Sequence, residues 1–111
     1  MKRLTPESAL KKLVLDYLAA KRIHCRRNNV GLFGPTGGKV RFGEVGEADV
    51  TAYVPSLTTC LFRILHLEFK SPKGKQALAQ FQWQRDVEGR GEYYLLVRSL
   101  DEVIAWLDNH A

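Results

Sequence analysis

From Leu61 to Lys70 the side chains fall into two alternating sets, and a period of two belongs to an extended strand. Leu61, Arg63, Leu65, Leu67 and Phe69 share one face; Phe62, Ile64, His66, Glu68 and Lys70 share the other. A carboxylate and an amine therefore leave the strand side by side, on a face that is apolar further back. A charge beside apolar surface is costly unless it is paired or metal-bound. The interval back to Asp49 contains Pro55, Ser56 and Thr58, room for two antiparallel strands and a turn that bring Asp49 and Glu68 to neighbouring positions. Two converging carboxylates beside an ammonium make a hard oxygen site for a divalent cation, with a proton-handling group alongside. Taken alone, Glu-x-Lys is also the spacing of an ordinary ion pair on a half-exposed strand. The rest of the chain has to decide between them.

A chain of 111 residues is expected to form one domain, 1–111, with a single core. Its net charge of +5 is unevenly placed. Lys21, Arg22, Arg26 and Arg27 cluster, followed by Lys39 and Arg41 and then Lys70, Lys73 and Lys75, whereas the last helix carries Asp101, Glu102 and Asp108. A basic band on one side favours a polyanionic partner, nucleic acid first. Cys25 and Cys60 lack metal-type spacing and are expected to fill core or strand positions in a reducing cytosol. The Met-Lys-Arg start is not followed by an apolar run, so no signal peptide is expected, and no segment has membrane-spanning length.

Thr5-Pro6-Glu7 reads as a helix start, with Thr5 as N-cap, Pro6 at the first helical position and an acid in the first turn. Leu10, Leu13, Val14, Tyr17 and Leu18 form its apolar stripe. Glu7 is expected to point toward the packed side, and Lys11, Lys12 and Asp16 away from it. Ile23 to Asn29 reads as a strand carrying Arg26 or Arg27. Gly31, Gly34, Pro35, Gly37 and Gly38 suggest a loop that matches no phosphate-binding fingerprint, so no nucleotide cofactor is expected.

Val40–Phe42 and Ala48–Val54 read as strands, the latter with Asp49, Thr51 and Tyr53 on one face. A helix should run from about Gln76 to Glu88, with Gln80, Trp83 and Val87 on one stripe. Gly89 and Gly91 end it, Tyr93–Val97 is a continuous apolar strand, and Ser99 caps a last helix. The helix before Tyr93 makes a crossover, so Tyr93–Val97 can lie parallel to Leu61–Lys70. The expected architecture is α/β, a mixed central sheet of about four strands flanked by helices.

The ordered set of an acid-bearing first helix, Gly46-Glu47-Ala48-Asp49, Leu67-Glu68-Phe69-Lys70-Ser71-Pro72-Lys73-Gly74 and the Gln80-x-x-Trp83 helix resembles the PD-(D/E)xK nuclease superfamily. More specifically it is similar to the VRR-NUC branch in its short stand-alone phage and bacterial form. Arg26 to Gly31, Val40 to Gly43 and Leu96 to Val103 extend the resemblance over nearly the whole chain. One departure is Ala48-Asp49 in place of the proline and aspartate of the superfamily name.

The resemblance implies a restriction-endonuclease-like core and metal-dependent phosphodiester cleavage. Asp49 and Glu68 would ligate Mg²⁺ or Mn²⁺ with the Phe69 carbonyl, and Glu7 would complete the cluster directly or through water. Lys70 would act on the attacking water and the phosphate, and Gln80 would brace Lys70 or that water. His66 is expected to be packed rather than to ligate. Arg26, Arg27, Asn29, Lys39, Arg41, Lys73 and Lys75 are the expected DNA contacts. Branched DNA such as a four-way junction is the implied substrate, cut by a two-fold homodimer in the cytoplasm of a bacterial or phage-infected cell. The alternatives are a less selective flap, nick or single-strand nuclease, and a non-catalytic DNA-binding module.

Overall fold

The computed structural model describes residues 5–28, 31–33, 40–42 and 46–110, the two short middle segments by their backbone alone. The first helix, α1, spans Pro6–Ala20, and the Thr5 hydroxyl accepts the Ser8 amide as its N-cap. Arg22, at a φ of 61°, turns the chain toward β1, His24–Arg27. Next come β2 (Gly31–Phe33) and β3 (Val40–Phe42), then β4 (Val50–Pro55) and β5 (Phe62–Phe69). Helix α2 (Leu78–Gly89) is followed by β6 (Tyr93–Val97) and α3 (Leu100–His110). Ser99 caps α3 by accepting the Glu102 amide, while the Glu102 carboxylate reaches back to accept the Arg98 amide.

Strands β1, β4, β5 and β6 form one mixed sheet in that order, and β2 and β3 form a separate two-stranded ribbon. Gly31, expected in a loop, is therefore the first residue of a strand, paired with Phe42. In the main sheet β1–β4 and β4–β5 are antiparallel and β5–β6 is parallel, with α2 as the crossover.

The period of two sorts the sheet into two unlike faces. Val50, Ala52 and Val54 of β4, Leu65, Leu67 and Phe69 of β5, and Val97 of β6 pack with Val14 and Leu18 of α1 and Val103 of α3. Burying each of these larger apolar side chains contributes roughly 1.5–3 kcal/mol. The opposite face carries a smaller apolar cluster of Ala48, Trp83, Val87 and Tyr94 under α2, together with the buried polar residues Thr51, His66 and Glu68. Leu13 is half-exposed, because α1 turns only the stripe through Leu10, Val14, Tyr17 and Leu18 to the sheet. Cys25 packs against the core from β1, whereas Cys60 is exposed in the bend before β5, not in a core or strand position.

Candidate active site

The register that pairs Val50 with Leu67 brings Asp49 opposite Glu68 at the end of the β4–β5 ladder. Asp49 Oδ2 accepts the Phe69 amide at 2.9 Å, which fixes the aspartate across the two strands. The Glu68 carboxyl is 3% exposed and hydrogen-bonded to Asp49, and its Oε1 has no partner among the described residues. Burial foremost, then the hydrogen bond and negative charge of Asp49, push Glu68 up from 4.5 to about 8, against the opposing pull of Lys70 and Lys11. Near neutral pH the Glu68 carboxyl therefore holds its proton where an ordinary glutamate has lost it.

A buried carboxyl oxygen left without a donor is costly. Beside a second carboxylate, Asp49, which itself lines a cleft, it fits a hard divalent cation, for which Asp49 and Glu68 are the donors at hand. Among the described residues no group of three or more His, Cys, Asp and Glu converges. Glu7, expected to face the packed side and complete the cluster, is exposed, and its Oε1 lies 3.4 Å from the Ser71 amide nitrogen. It reaches the end of β5 without joining the acid pair.

Lysine 11 comes to the site in its place. Its Nζ stands 3.9 Å from Asp49 Oδ1, contrary to the expectation that Lys11 points away from the packed side. The signal was present in the sequence: Lys11 precedes Val14 by three residues and Leu18 by seven, which places it on the buried stripe of α1. Lys70 follows Glu68 on the same strand face, its backbone held by the Val97 carbonyl at 3.0 Å, and its charge acts on Glu68.

Asn28 holds Asp49 from the other side. Its amide donates to the Asp49 carbonyl at 2.8 Å, and its side chain donates to the Ala48 carbonyl and the Thr51 hydroxyl. Nothing in the spacing of the sequence marks this residue.

Lys11, Asn28, Asp49 and Gln80 line a cleft of about 480 Å³ with Gly46, Glu47, Ala77 and Ala79. Gln80 is half-buried, and its Oε1 accepts the Ala77 amide at 2.8 Å, so that oxygen caps its own helix. Gly46 sits at a φ of 80°, and a Cβ there would strike the backbone of Ala79 and Gln80. Its lack of a side chain lets the first turn of α2 close one wall of the cleft.

Along the same sheet face lies a satisfied polar network. His66 donates or accepts at both ring nitrogens, 3.3 Å from Thr51 Oγ1 and 2.6 Å from Glu92 Oε1, with its ring edge-on to Trp83. It is a packed histidine. Arg90, foremost, holds Glu92 below the usual carboxylate range.

Arg26 and Arg27, grouped by the sequence, lie on opposite faces of the sheet. Arg26 borders the cleft around His66 and Trp83, whereas Arg27 faces α1 beside Lys11 and Lys12. Lys73 and Lys75 are exposed in the segment between β5 and α2, where Arg98 pins the Ser71 and Gly74 carbonyls. Asn29 and Lys39 fall outside the described residues, and Arg41 is described by its backbone alone, in β3.

Trp106 and Tyr93 are engaged with each other and with His110. Exposed large apolar residues include Leu57, Leu61 and Phe62, around the β4–β5 turn. No helix of the described residues is long and apolar enough to cross a membrane. Comparison with protein-family models, with curated proteins and with solved structures finds no match to this chain.

Proposed function

We propose that this chain is a metal-dependent DNA endonuclease that hydrolyses phosphodiester bonds, built on the PD-(D/E)xK core of the VRR-NUC type. One observation carries the reading: the buried Glu68 carboxyl is hydrogen-bonded to Asp49, which lines the cleft, Glu68 Oε1 has no donor among the described residues, and the Lys70 ammonium follows two residues later, just past the end of β5. Bound at this pair, Mg²⁺ or Mn²⁺ would supply Lewis-acid stabilisation and a more acidic water.

The chain's own groups divide the remaining work. Asp49 is pre-positioned by the Phe69 amide and by Asn28, so no reorganisation is needed to offer its carboxylate. Glu68 would hold the cation together with Asp49, as the carboxylate, its proton released to solvent. Lys70, as the ammonium, would orient the attacking water and hold positive charge where the phosphate acquires negative charge during attack. Lys11 balances Asp49 before substrate arrives and then faces phosphate. Branched DNA and a two-fold homodimer belong to this reading, since one site cuts one strand and a paired cut needs two. A cytoplasmic setting goes with that substrate.

The test is a panel of linear, flap, fork and four-way-junction DNAs with Mg²⁺, Mn²⁺ or Ca²⁺, with light scattering alongside. Cutting confined to Mg²⁺ and Mn²⁺, lost in Asp49→Asn, is the expected outcome. Absence of cutting on every substrate, with DNA still bound, would leave a non-catalytic binding module. A strict monomer on junction DNA would favour a flap or single-strand nuclease.

A further inference from the structure

A second cleft, of about 510 Å³, adjoins the first and shares Lys11 with it. It is walled by Ser8, Lys11, Lys12, Leu15 and Asp16 of α1 and by Arg27 of β1. Three cations face one carboxylate there. That carboxylate, Asp16, is already engaged by Lys12 at 2.9 Å in an exposed pair that contributes little and exchanges readily. Arg27 has no ion-pair partner among the described residues, and Lys11 meets Asp49 only at 3.9 Å. The surplus charge is thus set into a concave wall next to the acid pair, with one lysine common to both spaces.

We infer that this α1–β1 cleft is a subsite for a backbone phosphate of a nucleic-acid strand, adjacent to the phosphate presented to Asp49 and Glu68; the inference rests on the nuclease reading. A strand carries a charge at every nucleotide, so a phosphate at the acid pair requires cations for its neighbours. Lys11, Lys12 and Arg27 supply them on the α1 side. Arg26, whose side chain lies across the sheet, does not reach this cleft. The strand therefore leaves the acid pair along α1. Arg27 and Lys12 are exposed, so replacing them leaves the core untouched.

The test is an amide-resolved NMR titration of the full metal-free chain with a short oligothymidylate and, separately, with inorganic triphosphate, on wild type and on Lys12→Gln/Arg27→Ala. The oligonucleotide is expected to shift the amides of Ser8 to Lys12 and of Arg27. The double variant is expected to bind several-fold more weakly, with a salt slope lower by about 0.7 for each phosphate that is no longer neutralised, and Arg27→Ala to weaken binding more than Arg26→Ala. Absence of those shifts, or an unchanged slope in the double variant, overturns the subsite whether or not the protein cuts DNA. Shifts with triphosphate alone overturn it in favour of a free-phosphate ligand. Oligonucleotide shifts in a chain that cuts nothing support the subsite and overturn the catalytic reading alone.

Discussion

The two faces of the central sheet are built from the same strands yet answer to different demands. Toward α1 and α3 lie Val50, Ala52, Val54, Leu65, Leu67, Phe69 and Val97, almost without a polar atom. Toward α2 the alternate residues are Asp49, Thr51, His66 and Glu68, covered by a smaller apolar cluster and opened by clefts. One residue along β5 separates a side chain that holds the fold together from one that strains it: Leu67 is dry and fully packed, while Glu68 is buried with an oxygen lacking a donor. The strain is tolerable because the first face carries the stability.

The sharpest way to break this contrast is at Leu67. Leu67→Ala should cost about 2–5 kcal/mol in a urea melt, by loss of burial plus the cavity left behind. A change below about 1 kcal/mol would mean that the α1–α3 face is not the stabilising one. Lys70→Ala probes the other face: cleavage should fall about 10²- to 10³-fold while the melt stays within about 0.5 kcal/mol of wild type. Undiminished turnover would remove Lys70 from the chemistry.

Gly46→Ala sharpens the contrast at the cleft wall. The left-handed backbone and the collision with Ala79 should cost about 1–3 kcal/mol and displace the start of α2, visible as shifted Gln80 and Ala77 amides. Wild-type stability would show that α2 does not depend on that close approach.

A pH-dependent effect is expected at Glu68, where burial raises the folded-state value from 4.5 to about 8. The native chain holds this proton where the unfolded chain releases it. The resulting stability is complete below pH 4.5 and is lost as pH rises to about 8. Glu68→Gln should abolish that slope and leave the protein more stable than wild type at pH 8. A steeper slope in the variant would contradict the burial argument.

Much of this arrangement is legible in the order of the amino acids. Alternation in Leu61–Lys70 and the turn residues after Pro55 determined that Asp49 and Glu68 would meet, because a strand has one period and a hairpin one direction. Thr5-Pro6 and Ser99 marked their helix starts, because capping chemistry is local. Even the split of Arg26 from Arg27 follows once the strand is granted, since neighbours on a strand face opposite ways.

Tertiary structure alone decided which groups from distant elements reach the acid pair. The packing of α1 on the sheet delivers Lys11 to Asp49 and leaves Glu7 outside, although both lie on the same side of the helix, because the helix axis sets how far along the sheet each turn projects. Asn28 acquires its role from the β1–β4 register, and His66 its partner from Glu92, at the turn from α2 into β6. Gln80 carries an amide suited to either task, and the free Ala77 amide three residues before it claimed the side-chain oxygen. Periodicity assigns a residue to a face; the contacts made there depend on where the other elements stand in three dimensions.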